Sequence, residues 1–139
     1  MTQATTVLYT AKTHTTGGWA NGAVRSSDGQ LDIQLSTPGA GRPGSNPEQL
    51  FAAGWSACFE GAMGIAARKL GIRLPDDVAI DAEVDLCGAD DIYFLAARLN
   101  VSVPGLDRDI AASLVRTAHQ TCPYSKAIRG NVDVEISLV

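Results

Sequence analysis

Residues 46–71 have the sequence NPEQLFAAGWSACFEGAMGIAARKLG, and this stretch decides the fold because it predicts one long helix. Asn46 is a preferred N-cap residue, and Pro47 suits the first helical position. Glu48 adds an acidic side chain to the first turn, where the helix dipole favours negative charge. At the other end, Gly71 can take the left-handed conformation that ends many helices. We therefore expect a helix that begins at Pro47 and ends just before Gly71.

The predicted helix is nearly long enough to cross a membrane, since residues 50–67 contain a single charged side chain, Glu60. Its composition argues against that reading, because ten of the sixteen residues 52–67 are Gly, Ala or Ser. Small residues gain little on transfer to lipid, and a buried carboxylate is costly there. The first ten residues also lack the basic start and apolar run of a signal peptide. We therefore expect a tightly packed helix in a soluble, cytoplasmic protein with no membrane partner.

Around the helix, the pattern is mainly that of strands. Apolar and polar residues alternate in four stretches, and two further segments carry hairpin-turn signals. The strands are 31–35, 78–86, 95–103 and 132–138, and the turns are 28–29 and 88–91. Because the strands cluster in hairpins and do not alternate singly with helices, an α+β fold with antiparallel sheets is favoured over a doubly wound sheet.

A second helix is predicted after the hairpin. Asp107 can cap its start, and five apolar residues recur at helical spacing behind it: Ile110, Ala111, Leu114, Val115 and Ala118. His119 lies beside this stripe, and His14 lies in a predicted strand, so both are expected to be structural. Because no repeat or linker interrupts the chain, residues 1–139 are predicted to form a single domain with a loop at 38–44.

Composition and charge exclude several functions. The chain has 139 residues, 45% of them hydrophobic, which is enough for one buried core. Its formal net charge is −4 and it has no basic run, so nucleic acid is not an expected partner. Its three cysteines and two histidines have neither C-x-x-C nor H-x-x-x-H spacing, so no zinc site and no bound cofactor are predicted.

The cysteines are the residues through which chemistry is expected. Cys122 precedes Pro123 and is predicted to start a short helix, residues 123–128, whose backbone N–H groups favour a thiolate. Cys58 lies within the long helix, where it is either a small buried core residue or a redox thiol. If the fold joins the two, one thiolate can attack an oxidant and the resulting sulfenic acid can condense with the other thiol. Cys87 alternates with polar residues on a strand and is predicted to be a surface thiol without a role.

Two segments carry a resemblance to a known family. Residues 46–59, NPEQLFAAGWSACF, and residues 122–131, CPYSKAIRGN, resemble the organic hydroperoxide resistance proteins of the OsmC/Ohr superfamily. The resemblance extends over nearly the whole chain, from a first strand at about Val7 to the last strand. It implies antiparallel sheets wrapped around a long central helix in an intertwined homodimer.

The resemblance also implies an activity, a thiol peroxidase that reduces alkyl and fatty-acid hydroperoxides to alcohols. Cys58 matches the peroxidatic cysteine and Cys122 the resolving cysteine, which together close a disulfide. Dihydrolipoamide or a lipoylated protein is the implied electron donor. Glu48 matches the glutamate that orients an active-site arginine over the reacting sulfur.

The sequence departs from the family at that arginine. Gly17-Gly18-Trp19 stands where the family usually has Gly-Gly-Arg, so Trp19 occupies the arginine position. An indole carries no positive charge, and the loss of one preorganised donor costs about 100- to 1,000-fold in rate. Arg42, in a loop that is short for the family, is the nearby candidate for a substitute cation. Trp55 also replaces a usual tyrosine.

Three functions are consistent with these observations. The first is a two-cysteine peroxidase slowed by Trp19. The second is a low-turnover homologue that binds hydrophobic ligands or senses peroxide, with the apolar Trp19 ring filling or covering the pocket. The third is a structural domain whose cysteines are inert to peroxide.

Overall fold

The computed structural model describes residues 5–139, and within them the long helix begins and ends where the sequence predicts. Ten elements follow one another along the chain: β1 (Thr13–Thr16), α1 (Gly18–Asn21), β2 (Ala23–Ser26), β3 (Asp32–Gln34), α2 (Pro47–Lys69), β4 (Ala79–Ala89), β5 (Ile92–Ser102), α3 (Arg108–Thr121), α4 (Pro123–Ile128) and β6 (Asp133–Leu138). They form two compact units, of which the first ends at Pro47 and the second is Glu48–Val139. The organisation of residues 1–139 as a single domain stays a prediction.

Helix α2 has the predicted termini. Pro47 is its first residue and Glu48 lies in its first turn. At the other end the N–H of Gly71 donates to the carbonyl of Arg68 and the N–H of Ile72 to that of Ala67. Gly71 has φ 70, so this is the Schellman arrangement that glycine permits.

By length and composition alone, α2 is also the one described helix that is able to cross a membrane. Its large side chains argue for the other arrangement. Trp55, Phe59 and Met63 are fully buried in the protein's own hydrophobic core. Burial of each such side chain contributes about 1.5–3 kcal/mol, so α2 is packed as a core helix.

In the first unit, β1, β2 and β3 form an antiparallel sheet. The predicted turn at residues 28–29 is present, with Gly29 at φ 75 and the Asp28 carboxylate accepting from the Ser26 hydroxyl. The expected first strand near Val7 is wrong, since β1 begins at Thr13. The pairing stops there because β2 ends at Ser26, so no residue of β2 lies opposite the preceding segment. The short helix α1 was not predicted.

In the second unit, the sheet has the order β4-β5-β6 and is mixed. Strands β4 and β5 pair antiparallel around a two-residue turn, Asp90-Asp91, in which both residues have positive φ, 52 and 66. Strand β6 pairs with β5 in parallel, which corrects the expectation of purely antiparallel sheets. The reason is the connection between the two strands. Residues 103–132, which contain α3 and α4, return the chain to the starting end of β5, as parallel pairing requires.

Helix α3 packs onto the same core as α2. The Asp107 carboxylate accepts from the backbone N–H groups of Asp109 and Ile110, which confirms the predicted cap. The predicted apolar stripe is buried at Ala111, Leu114, Val115 and Ala118. Leu114 meets α2 and the β5 side chains Leu99 and Val101 in a single hydrophobic cluster. The core therefore fixes the position of both long helices of the second unit.

Candidate active site

Two of the three cysteines lie side by side in the second unit. The Sγ atoms of Cys58 and Cys122 are 3.2 Å apart, and both are free thiols. Cys122 is fully buried, whereas Cys58 is half-buried and accessible from one side. A disulfide bond is about 2.0 Å long, so a shift of roughly 1 Å brings these sulfurs to bonding distance. The fold thus joins the two thiols that the sequence singles out.

Cys122 is held at the corner between two helices. It ends α3 and caps α4, where Pro123 occupies the first helical position as predicted. Its backbone N–H donates to the carbonyl of Ala118 at 2.8 Å, and its carbonyl accepts from the N–H of Lys126 at 2.9 Å. Because its main chain is bonded to both helices, the place of its sulfur follows from the packing of α3 and α4.

The electrostatics around Cys58 favour the protonated thiol. Burial raises the pKa of Cys58 above its ordinary value, and the neighbouring Cys122 raises it further. A hydrogen bond from the backbone N–H of Tyr124, in the first turn of α4, lowers the pKa but does not outweigh burial. In the protein's own second unit, Cys58 is therefore less ionised at neutral pH than a free thiol.

One face of α2 lies against the first turn of α4. Phe51, Gly54, Trp55 and Cys58 follow the spacing i, i+3, i+4, i+7, which places them on one side of a helix. The ring of Phe51 meets those of Trp55 and Tyr124 edge to face, with centroids 6.2 Å apart in both pairs. These rings form an apolar aromatic cluster on the face of α2 that also carries Cys58.

Four residues of this site received no structural role from the sequence: Gly54, Trp55, Tyr124 and Ser125. Gly54 gives room to Tyr124, because a Cβ atom at Gly54 would lie 2.5 Å from the tyrosine hydroxyl. Trp55 Nε1–H donates to the Oγ of Ser125 at 3.1 Å, with both side chains fully buried. The heptad-like spacing from Phe51 to Cys58 was the available signal for the α2 half. The α4 half carries no comparable pattern, because a six-residue helix is too short for one.

Glu48 lies at the N-terminal end of α2, the helix that carries Cys58. It is half-buried in the first turn of α2, ten residues before Cys58. Ten residues of helix span about 15 Å, so α2 alone does not bring this carboxylate to the thiol.

In the first unit, Arg42 is hydrogen-bonded to the short helix that carries Trp19. Trp19 lies in α1 and is 67% exposed. Gly17 and Gly18 before it have φ 76 and 68, which forms the turn that leads into α1. The Arg42 guanidinium donates to the Asn21 side chain and, at 3.5 Å, to the carbonyl of Ala20. The structure thus attaches Arg42 to the short helix that carries Trp19.

Among the residues that the structure describes, neither Cys87 nor His119 is seen to form a hydrogen bond with Cys58 or Cys122. Cys87 is half-buried on β4 in register with Phe94. Burial, with a smaller contribution from the Arg129 guanidinium, lowers the pKa of His119. Its buried Nδ1 has no hydrogen-bond partner in the described part of the chain. Within residues 5–139, no group of three His, Cys, Asp or Glu side chains is arranged to hold a metal ion.

Comparisons with known proteins agree on one family. The profile of the OsmC-like proteins matches residues 38–137. An organic hydroperoxide resistance protein of Xanthomonas axonopodis pv. citri (strain 306) is 48% identical over 136 residues, covering 95% of each chain. The crystal structure of the organic hydroperoxide resistance protein OhrB of Bacillus subtilis has a TM-score of 0.89 at 44% identity, covering 96% of this chain and 100% of that one. A Legionella pneumophila organic hydroperoxide resistance protein has a TM-score of 0.88 at 42% identity, covering 96% and 98%.

Proposed function

The chain belongs to the OsmC-like family, and from that premise we propose that it is a two-cysteine peroxidase that reduces organic hydroperoxides to alcohols. The observation that carries the proposal is the 3.2 Å separation of the Cys58 and Cys122 sulfurs. The relatives named for organic hydroperoxide resistance supply the substrate class.

The proposed reaction has two steps within the protein. The Cys58 thiolate attacks the outer oxygen of the hydroperoxide, the O–O bond breaks, and the alkoxide takes a proton and leaves as the alcohol. Cys58 is then a sulfenic acid. The sulfur of Cys122 attacks the Cys58 sulfur, its proton leaves with the displaced hydroxide as water, and a disulfide forms. The assignment follows exposure: the half-buried Cys58 meets the oxidant and the fully buried Cys122 resolves it.

The aromatic cluster on the Cys58 face of α2 supports this substrate class. Phe51 and Tyr124 offer aromatic surface to an alkyl or fatty-acid chain and offer little to hydrogen peroxide, which is small and fully polar. An organic hydroperoxide therefore gains apolar contacts that hydrogen peroxide lacks.

The proposed electron donor is dihydrolipoamide or a lipoylated protein, as the family resemblance implies. A dithiol regenerates the enzyme by two exchange steps: one sulfur attacks the disulfide, and the second displaces the enzyme thiol from the mixed disulfide. The donor leaves as a cyclic disulfide, and Cys58 and Cys122 return to thiols.

The cation that activates Cys58 is the part of the proposal most affected by this sequence. Trp19 holds no charge, so Glu48 lacks the guanidinium that the family resemblance implies for it. Arg42 is our candidate substitute, supported by its hydrogen bonds to the Asn21 side chain and Ala20 carbonyl of α1. We expect Trp19→Arg to raise the rate of hydroperoxide reduction at least about tenfold, measured by lipoamide-coupled consumption. An unchanged rate would refute the argument from the arginine position, and Arg42→Met should lower the rate if Arg42 acts as the substitute.

A second function is favoured by the same residues. The raised pKa of Cys58 and the missing arginine both disfavour rapid turnover. A homologue that binds hydrophobic ligands or senses peroxide would consume a single equivalent of hydroperoxide and stop. Continuous consumption with dihydrolipoamide separates the peroxidase from this alternative.

The deciding experiment is intact-mass spectrometry of the reduced protein after one equivalent of cumene hydroperoxide, with hydrogen peroxide alongside. We expect rapid loss of about two mass units and a Cys58–Cys122 link in the peptide map, faster with the organic oxidant. Cys58→Ser should abolish the reaction, and Cys122→Ser should leave Cys58 open to sulfinic acid. Cys87→Ser is the matched control and should behave like the wild type. No mass change, or a link through Cys87, would contradict the proposal.

The proposed setting is the cytoplasm, and the proposed assembly is an intertwined homodimer. Large apolar side chains exposed in both units support an assembly, since a monomer rarely leaves such residues together in solvent. They are Val7, Leu8 and Tyr9 in the first unit and Leu86, Ile92, Tyr93 and Phe94 in the second.

A further inference from the structure

A second connection lies beside the two thiols. The hydrogen bond from Trp55 Nε1 to Ser125 Oγ is 3.1 Å long and fully buried. Trp55 precedes Cys58 by three residues on α2, and Ser125 follows Cys122 by three residues at the start of α4. The bond therefore joins the same two segments that carry the thiols, about one helical turn away from them.

The two polar groups of this hydrogen bond have few other partners available. The indole N–H is the only polar group of the tryptophan side chain, and at zero exposure water does not replace a lost partner. Buried polar groups are expected to keep their hydrogen bonds, because an unpaired group in a low-dielectric interior is costly. Trp55 and Ser125 thus have one favoured mutual placement, and α2 and α4 share it.

The remaining contacts between the two segments are softer. Tyr124 lies over Gly54 and against the edge of Phe51, and its ring is 41% exposed. Its backbone N–H reaches the sulfur of Cys58. Helix α4 has only six residues, so its first turn depends on such contacts for its place. Among them, the Trp55–Ser125 bond is the directional, fully buried one.

We propose that Trp55 and Ser125 are positioning residues that hold the Cys122 sulfur at attacking distance from Cys58 and so set the rate of disulfide closure. This inference rests on the proposed two-cysteine function. In the step concerned, the Cys122 sulfur bonds to the Cys58 sulfur, the S–OH bond of the sulfenic acid breaks, and the hydroxide leaves as water with the thiol proton. No outside oxidant or reductant takes part, because the sulfenic acid already holds the oxidising equivalent.

The bond acts on the second step and not on the first. Reduction of the hydroperoxide takes place at the Cys58 sulfur before Cys122 takes part. Closure needs two sulfurs on different helices to move together by roughly 1 Å, and misplacement on that scale costs about 100-fold in a well-oriented reaction. Loss of the bond should therefore slow closure and prolong the life of the sulfenic acid.

The test uses Ser125→Ala, Trp55→Phe and the double variant in the full-length protein. Rapid quenching and intact mass follow two quantities, the loss of hydroperoxide in the first turnover and the appearance of the disulfide. Dimedone, which captures sulfenic acids, reports the intermediate. We expect closure to slow at least about tenfold in each single variant, with more dimedone adduct on Cys58, and the first step of Ser125→Ala to stay within about twofold of the wild type. The double variant should be no slower than the slower single variant, because both changes remove one bond.

The matched control is Ser56→Ala, whose hydroxyl donates at 2.7 Å to the carbonyl of Ala52 within α2. It removes a serine hydroxyl from the same helix without touching α4, so both rates should stay unchanged. Ser125→Ala removes one oxygen atom only, and a melting curve verifies that the variant is folded.

The outcomes separate this inference from the proposed function. Wild-type closure kinetics in folded Ser125→Ala would overturn the positioning role and leave the peroxidase intact. Equal slowing of both steps would show a general structural effect and would also overturn it. A wild type that forms no Cys58 sulfenic acid would overturn the proposed function and this inference together.

Discussion

At the scale of single residues, the surroundings of Cys58 shift its pKa in two opposite directions. Burial and the neighbouring Cys122 raise its pKa, and one backbone N–H from Tyr124 lowers it. Burial prevails within the second unit, so the proposed peroxidase activity calls for a cation that stabilises the thiolate. We therefore propose residue 19 and Arg42 as the positions that decide whether such a cation is present.

The raised pKa predicts a pH profile. Because only the thiolate reacts, the alkylation rate of Cys58 by iodoacetamide should keep rising with pH beyond the range where an ordinary thiol levels off. The measurement uses reduced Cys87→Ser protein, in which Cys122 is fully buried and Cys58 is the accessible thiol. The same protein unfolded in urea is the control and should level off at a lower pH. A folded protein that levels off first would mean that a cation already stabilises the thiolate.

Sequence patterns singled out the two cysteines of the candidate site but not the residues around them. Cys58 and Cys122 stood out because a thiol before Pro123 and a thiol in a small-residue helix both have chemical meaning. The 3.2 Å separation of their sulfur atoms could not be predicted from the sequence, because a contact between residues 64 positions apart depends on how α2 and α4 pack. The role of Ser125 was hidden for the same reason: its partner Trp55 is 70 residues away.

At the scale of elements, local chemistry predicted the helix ends well. The termini of α2 and the start of α3 could be predicted because helix caps depend on contacts between residues that are close in the sequence. The parallel pairing of β6 was missed, because alternation along a strand gives its buried face and not the direction of its neighbour. The short helix α1 escaped because four residues show no helical period.

The cap of α3 gives a prediction at this scale. Asp107→Ala removes the acceptor of the N–H groups of Asp109 and Ile110, so the free energy of unfolding should fall by about 1 kcal/mol. Urea denaturation measures the change. Asp76→Ala is the matched control. The ion pair of Asp76 with Arg73 joins side chains that are 90% and 85% exposed, so this variant should lose close to no free energy of unfolding. Equal losses in the two variants would contradict the capping role.

At the scale of the whole molecule, the exposed apolar residues predict self-association. Ile92, Tyr93 and Phe94 at the start of β5 are 66%, 74% and 51% exposed in the single chain. A second copy would cover such a surface in a symmetric dimer.

We expect analytical ultracentrifugation to show a dimer at micromolar concentration. Tyr93→Asp should weaken it at least about tenfold, because a charge would be buried without a partner. Arg73→Asp, which changes a side chain that is 85% exposed, is the control and should leave the dimer intact. A wild-type chain that sediments as a monomer would refute the assembly.

The parallel pairing of β6 also bears on the order in which the protein is made. Strands β4 and β5 close over a two-residue turn and can pair as soon as both have left the ribosome. Cys122 lies on the long crossover of residues 103–132, so it reaches Cys58 only after this crossover has been synthesised and α3 has docked. Until then Cys58 lacks the partner thiol of the proposed disulfide, and an oxidant that meets the nascent chain would drive Cys58 toward sulfinic acid. For the proposed peroxidase, we therefore expect rapid synthesis and docking of α3 to limit damage by its own substrates.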